Sequence, residues 1–332
     1  MLDFSNNLEV FLLSSFHWSS YSMFFSASAT QSYLKKCYSK IEGNNSELKA
    51  YDNCYPFIYY LEHGKVYYEQ AKAAPLIIQP ILLFYGFVHL IKASILTVDP
   101  NYPETTSVLA HGVSARKRKK QQYHFFQDEV KFQKSGLFPF MAEKLFHMKH
   151  IEGDKISMDC LLRQVPELSD LFLSIEGKNT FTPIKKINNE FYIPNNVLDI
   201  FHMTENRFVD FFLSKSIEEY TFKRSEDSFI VLEKEYGESY DYTPLKFNQK
   251  EESFALPLTK DSSLQLHELL VHYLLLYNLS MIARYETEWW SELVKTMPNK
   301  DYPFIETFLH ITSEKGPFLV LQNLLNKVPS RF

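Results

Sequence analysis

Two segments of the chain carry apolar residues on almost every side, a pattern typical of helices that other elements enclose. They are residues 81–97 and residues 264–285. Because they lie far apart in the sequence, the immediate neighbours of each segment cannot cover it alone. The pattern therefore predicts that the two helices pack against each other in one helical bundle.

The chain between these two segments changes to short runs of strand-forming residues. Phe, Tyr, Ile, Val and Thr are frequent there, and Asn, Pro and Gly bound the runs, as expected for β-strands joined by turns. We expect an α+β protein with a mainly helical bundle body and an inserted strand-rich module. The expected boundaries are 1–177 for the first part of the body, 178–258 for the module and 259–332 for the second part.

Prolines and turn residues set several of the expected helix ends. Residues 51–56 are interpreted as a turn-rich link that ends at Pro56. Pro317 is expected to open a separate last helix after one at residues 303–312. Two further helices are expected at residues 125–134 and 137–148.

Composition and charge exclude several classes of protein. Of the 332 residues, 45% are hydrophobic and 16% are aromatic, which excludes a mainly disordered chain. The net charge of −5 gives no general attraction for nucleic acid or anionic membranes. Cys37, Cys54 and Cys160 are widely spaced without a zinc pattern, which favours a reduced, cytoplasmic protein.

The apolar stretch at residues 75–96 is long enough to cross a membrane. It contains Gln79, Pro80, His89 and Lys92, and a lysine near a helix centre costs about 2.5–3.5 kcal/mol on insertion scales. We therefore expect a buried core helix and no stable membrane insertion.

The densest charge feature is a run of five basic residues. The run consists of Arg116, Lys117, Arg118, Lys119 and Lys120. Five adjacent cations repel one another, so the run is expected to be exposed. Three interpretations stay open: a phosphate-contacting patch for RNA, a docking patch for an acidic protein, and a solvated loop.

Arg118 and His124 are separated by five residues, a spacing found in a group of helical ribonucleases. In that chemistry the arginine stabilises charge on the phosphorane and the histidine moves a proton. A chain with this many arginines and histidines produces such a spacing by chance, so the pattern alone carries little weight.

Polar residues on the two most apolar helices need partners. His89 and Lys92 share one face of the first helix, and Arg284 lies at the end of the second. The three form either a structural polar network or, if the helices pack together, a site for a bound anion. His111, followed by Gly112, either ends a helix or places its imidazole beside a close backbone.

Glu143, His147 and His150 are spaced by four and three residues and are weak candidates for a divalent metal. The alternative is a plain polar helix face, and we expect no metal. No GxGxxG, GxxxxGK[ST] or GxSxG motif is present, which disfavours common dinucleotide enzymes, P-loop NTPases and α/β-hydrolases. No cofactor is expected.

Several segments resemble the YaaC-like family of bacterial proteins. The matching segments are residues 55–64, 66–71, 83–86, 96–104, 111–114 with the basic run after them, and 272–285. On these segments the chain is identified as a member over nearly its whole length. The resemblance implies a bacterial cytosolic protein and no particular activity.

A looser similarity connects the chain with HEPN-like helical proteins, many of which are ribonucleases. It consists of the long apolar helix pair and the Arg118 and His124 spacing, and the strand-rich insertion departs from a simple four-helix bundle. We therefore expect a non-enzymatic interaction or regulatory protein that docks an acidic partner through the basic run. The alternative is a HEPN-like RNA-binding protein or ribonuclease, with Arg118 and His124 as its catalytic pair.

Overall fold

The computed structural model describes residues 17–39, 41, 45–115, 123–217, 219–234, 242–259 and 266–327. Contacts divide these residues into two compact units. The helical unit comprises the described residues within 17–162 and 266–327, and the strand unit comprises those within 163–259.

The α-helices, in chain order, are α1 (Ala27–Tyr38), α2 (Ser46–Ala73), α3 (Gln79–Leu96), α4 (Leu137–Phe146), α5 (Met158–Leu162), α6 (Ser169–Glu176), α7 (Val197–Phe201), α8 (Glu205–Lys215), α9 (Glu268–Tyr285), α10 (Thr287–Thr296) and α11 (Asp301–Leu325). Short 3₁₀ helices occur at Trp18–Phe25, Thr106–Leu109, Phe125–Gln127 and Pro166–Leu168. The strands are β1 (Val113–Ala115), β2 (Glu129–Phe132), β3 (Lys155–Ser157), β4 (Phe181–Ile187), β5 (Glu190–Pro194), β6 (Tyr220–Ser225), β7 (Phe229–Lys234), β8 (Lys246–Asn248) and β9 (Ser253–Pro257).

Helix α3 lies at the centre of the helical unit, where it contacts α2, α9 and α11. The Phe84 ring of α3 packs against the rings of Tyr273 and Tyr277 of α9 at centroid distances of 5.5 and 5.7 Å. The two most apolar helices therefore pack directly on each other, as their pattern predicted. Helix α3 is long and apolar enough to cross a membrane by length and composition, but 67% of it is buried inside the protein.

Two glycines let α2 and α3 approach closely. A Cβ atom on Gly64 would lie 2.5 Å from the Leu90 side chain, and one on Gly86 would lie 2.8 Å from the Tyr68 ring. Any larger residue at either position would push the helices apart. This close contact brings the side chains of one face of α2 onto α3.

The two predictions that a proline separates neighbouring segments, at Pro56 and at Pro317, are wrong. Helix α2 runs through residues 51–56 with Pro56 in its interior, and α11 is continuous through Pro317. Asp52 and Pro56 are both exposed, so water can reach the carbonyl group that loses its hydrogen bond to the proline. Around Pro317, buried residues hold the helix in place, and the Pro317 carbonyl accepts a hydrogen bond from the Tyr21 hydroxyl at 2.7 Å.

A small antiparallel sheet with the order β1-β2-β3 also belongs to the helical unit. It replaces the helix expected at residues 125–134. Val130 and Phe132 are buried and Lys131 between them is exposed, which is the two-residue alternation of a strand. Strand β1 ends at Ala115, directly before the basic run in the sequence.

The strand unit is built on an antiparallel sheet with the order β6-β7-β5-β4-β9-β8. Phe191 lies at its centre, with its ring 5.4 Å from the Phe254 ring and 5.7 Å from the Tyr220 ring. This unit begins at Arg163, so α6 belongs with the strands, and the helical body comes from both sides of it in the sequence. The α+β class with a helical body and a strand-rich module is confirmed.

Candidate functional site

Four of the polar residues predicted from the sequence lie in the helical unit and are linked by electrostatic interactions and shared aromatic neighbours. His89 and Lys92 lie on α3, Arg284 lies in the last turn of α9, and His111 lies between a 3₁₀ turn and β1. The charges of Arg284 and Lys92 both act on His111, and the charge of Lys92 acts on His89. We call these four partly buried residues the cationic cluster.

Helix α2 supplies one wall of the cationic cluster. Tyr60, His63 and Tyr67 follow one another at spacings of three and four, so they share a helix face. Their rings lie 6.1, 5.2 and 5.7 Å from the His89 ring. The Lys92 ammonium lies 5.7 Å from the centre of the Tyr60 ring, within the range of a cation–π interaction.

Aromatic rings also surround His111. Its imidazole lies 5.0 Å from the Phe84 ring and 5.6 Å from the Tyr277 ring. The His111 carbonyl accepts a hydrogen bond from the Tyr273 hydroxyl at 2.8 Å, which fixes the backbone to α9. Gly112 has a φ of 76° and lies close to Gly136 and Pro139, so the close backbone approach is at Gly112, whereas the His111 imidazole packs against aromatic rings.

Arg284 is oriented by three of its five N–H groups. Nε donates to the Ser280 carbonyl, Nη1 to the Tyr85 hydroxyl and Nη2 to the Met281 sulfur, each at 3.1 Å. Within the described part of the chain, the other two N–H groups have no acceptor, and neither does the Lys92 ammonium. The Nδ1 atom of His89 is also buried without a hydrogen-bond partner.

The electrostatics of the cationic cluster are one-sided. In the described ranges no carboxylate lies within 4.0 Å of Lys92 or Arg284. Burial, together with the nearby Lys92 and His63, lowers the pKa of His89 to about 4. Burial, Arg284 and Lys92 lower the pKa of His111, and burial lowers that of Lys92. Both imidazoles are therefore neutral at pH 7. The described residues leave donors of Lys92 and Arg284 without a protein acceptor and supply no counter-ion.

The basic run Arg116–Lys120, including Arg118, lies outside the described residues. The residue before it, Ala115, is in backbone hydrogen-bonding contact with the Tyr277 hydroxyl at the edge of the cationic cluster. After the run, His124 is 49% exposed and lies 3.8 Å from the buried Asp301 carboxylate, measured from Nδ1 to Oδ2. That carboxylate is fixed by the Phe125 backbone N–H at 2.8 Å.

The shared helix face assumed for Glu143, His147 and His150 is wrong. Helix α4 ends at Phe146, and both histidines have a positive φ, 55° for His147 and 60° for His150. In the ranges that the structure describes, no group of three His, Cys, Asp or Glu residues could hold a metal ion.

Sequence reasoning missed the aromatic part of the site. Tyr60, His63 and Tyr67 carried a usable signal, because their spacing marks one helix face. Tyr85 also follows from its position four residues before His89 on α3. Only the packing of α2, α3 and α9 brings these faces together.

The fold and the site define an α+β protein whose helical unit carries a partly buried cationic cluster lined by aromatic rings. The profile of the YaaC-like protein family matches residues 22–324, so the chain belongs to this family. No curated protein and no solved structure matches the chain. The family description specifies no ligand, reaction or partner.

Proposed function

We propose that this chain is a non-enzymatic cytoplasmic binding protein that recognises an anionic group at the cationic cluster. The observation that carries the proposal is the absence of a carboxylate within ion-pairing distance of Lys92 and Arg284 among the described residues. A partly buried charge without a partner costs free energy, and an anion from outside would remove that cost. Lysine and arginine are also the side chains that most often bind phosphate and carboxylate groups.

The proposal extends to a regulatory role in which an acidic partner also meets the basic run Arg116–Lys120. The sequence supports this extension, because Arg116 follows Ala115, whose backbone contacts the Tyr277 hydroxyl beside the cationic cluster. Contacts between the run and phosphates of a partner would make the affinity fall steeply with salt. An apolar protein interface would show little salt dependence.

Titration calorimetry with inorganic phosphate at pH 7 tests the proposed function. We expect Arg284→Gln and Lys92→Gln each to weaken phosphate binding by about 10- to 100-fold, since a hydrogen bond to a charged group contributes about 1.5–3 kcal/mol. Lys295→Gln, which removes the same charge from an exposed position on α10, is the matched control. Equal phosphate affinity in the wild type and both cluster variants would overturn the proposal.

His124 supports a second candidate function, RNA binding or ribonuclease activity. The exposed imidazole lies 3.8 Å from the buried Asp301 carboxylate, which is within ion-pairing distance but longer than a hydrogen bond. A carboxylate near an imidazole is typical of histidines that move protons. In this candidate Arg118 stabilises charge and His124 moves a proton. If RNA cleavage by the purified protein is the same in the wild type, Arg118→Ala and His124→Ala, this candidate fails.

A further inference from the structure

We infer that the ligand of the cationic cluster is a phosphomonoester, and that an imidazole of the cluster takes up a proton when the ester binds. This inference rests on the proposed function and deepens it by naming the class of ligand. It is carried by three observations on the cluster: the number of free donors, the permanent charge, and the two imidazoles beside them.

The free donors exceed what a carboxylate can accept. Lys92 offers three N–H groups and Arg284 offers two, none of them with an acceptor among the described residues. A carboxylate has two oxygens with about four acceptor positions. A phosphomonoester presents three terminal oxygens that are strong acceptors.

The permanent charge of the site also fits a phosphomonoester. Lys92 and Arg284 together carry two positive charges, and a phosphomonoester carries a charge of about −1.5 to −2 at pH 7. The Arg284 guanidinium is held by Ser280 and Tyr85, so its orientation is set before a ligand arrives. Little side-chain entropy is therefore lost on binding.

His89 and His111 connect binding to the proton concentration. Without a ligand, burial and the neighbouring cations keep both imidazoles neutral. A bound dianion would offset the positive charge of Lys92 and Arg284 and, by its own negative charge, favour the charged imidazole. The Nδ1 atom of His89 is buried and has no hydrogen-bond partner in the described structure, so no described hydrogen bond fixes its protonation.

Among the described residues, the groups that face the two imidazoles include no carboxylate that could already supply this effect. Facing the cluster are Tyr60, His63 and Tyr67 from α2, Tyr85, His89 and Lys92 from α3, and Tyr277 and Arg284 from α9, with Tyr102 beside Tyr60. Lys144 of the adjacent α4 is paired with Asp99 at 3.0 Å, so this carboxylate already has a partner.

Titration calorimetry of the full-length wild type with methyl phosphate, sulfate and acetate tests the class of ligand. We expect methyl phosphate to bind at least tenfold more tightly than acetate at pH 7. Acetate binding as tightly as methyl phosphate would overturn the assignment to a phosphomonoester. A phosphoserine peptide and its unphosphorylated form distinguish the source: tighter binding of the phosphopeptide than of methyl phosphate supports a protein-borne ester, and the reverse supports a free one.

Sulfate tests the proton uptake, because it remains a dianion at every pH used. We expect the affinity for sulfate to rise as the pH falls from 8 to 5.5. The imidazole that takes up the proton has one pKa in the free protein and a higher one in the complex, and between these two values the affinity should rise by up to tenfold per pH unit. Heats measured at pH 7 in two buffers with different ionisation enthalpies should differ by the protons taken up. His111→Gln and His89→Gln should each reduce this difference, with the exposed His310→Gln as control.

The outcomes separate this inference from the proposed function. Sulfate binding with a flat pH profile and identical heats in both buffers overturns the proton uptake and leaves anion binding intact. If none of the anions binds, both the proposed function and this inference fail. The buffer comparison uses the wild type alone, so it decides the question even if a histidine variant does not fold.

Discussion

Helix α9 carries polar clusters at both ends, and the two differ in how their charges are balanced. Near its start, Glu268 lies 2.6 Å from the Lys315 ammonium, and both side chains are buried, with 7% and 1% exposure. His272 hydrogen-bonds Thr312 at 2.8 Å in the same region. Near its end, Arg284 belongs to the cationic cluster, where no described carboxylate balances the charge.

The difference teaches how a structural polar network can be told from a binding site. At the start of α9 the protein supplies both signs of charge, and water is excluded. At the end of α9 the described residues supply cations and donors without a paired carboxylate, and the side chains remain partly exposed. A buried charge that the fold itself pairs is structural, whereas one left unpaired at an accessible position is a candidate for a ligand.

The largest expected effect on stability comes from breaking the ion pair between Glu268 and Lys315. Lys315→Met leaves the Glu268 carboxylate buried without its cation, which should lower the free energy of unfolding by about 3–5 kcal/mol. Urea denaturation measures the loss. Lys295→Met on the exposed surface should change stability by less than about 0.5 kcal/mol. A loss below about 1 kcal/mol for Lys315→Met would show that Lys315 does not compensate the buried charge of Glu268.

The next largest loss of stability should come from disturbing the close contact between α2 and α3. Gly86→Ala places a methyl group 2.8 Å from the Tyr68 ring and 2.9 Å from the Tyr67 Cβ atom. We expect a loss of about 1–3 kcal/mol from overpacking, although alanine is the better helix former. Thermal unfolding measures it. A variant more stable than the wild type would show that α2 and α3 move apart to accept the methyl group without a loss of stability.

A smaller effect should appear in the pH dependence of stability. The pKa of His89 is about 4 in the folded protein and about 6.5 in an unfolded chain. Between these values the unfolded state binds more protons, so His89 makes stability fall as the pH drops from about 6.5 toward 4. His89→Gln should flatten this part of the melting-temperature profile, and the exposed His310→Gln should not. Parallel profiles for the wild type and His89→Gln would refute the burial of a neutral imidazole.

The smallest expected effect on stability is that of Lys92→Met, which contrasts most with the effect of Lys315→Met. In buffer without phosphate or sulfate, Lys92→Met should leave stability unchanged to within about 1 kcal/mol, because no described carboxylate loses a partner. A lysine-to-methionine substitution would then destabilise the protein strongly in the cluster at the start of α9 and hardly at all in the cluster at its end. A loss of 3 kcal/mol or more at Lys92, measured by urea denaturation, would place the cationic cluster among the structural networks.

The sequence was informative where burial follows from local pattern. The two apolar helices pointed to the packing of α3 on α9, and this packing was the condition under which His89, Lys92 and Arg284 were expected to form an anion site. The alternation at Val130, Lys131 and Phe132 also carried the signal of β2, but the longer run of mixed residues suggested a helix instead.

Other features depend on contacts between distant segments, which local pattern does not contain. Pro56 and Pro317 ordinarily end helices, yet solvent exposure at one and tertiary packing at the other let the helices continue. The close contact between α2 and α3 depends on Gly64 and Gly86. The need for glycine at these positions is visible only once the position of the other helix is known. The pairing of Glu268 with Lys315 likewise joins residues on two separate helices.

The most direct test of the account is a crystal structure of the protein grown without phosphate or sulfate and soaked in tungstate, an oxyanion with a strong anomalous signal. We predict an anomalous peak in the cationic cluster, with oxygens about 2.7–3.2 Å from the Lys92 ammonium and the Arg284 guanidinium, and no peak beside Lys315. An empty cluster at saturating tungstate would contradict the central claim that this unbalanced site binds an anion.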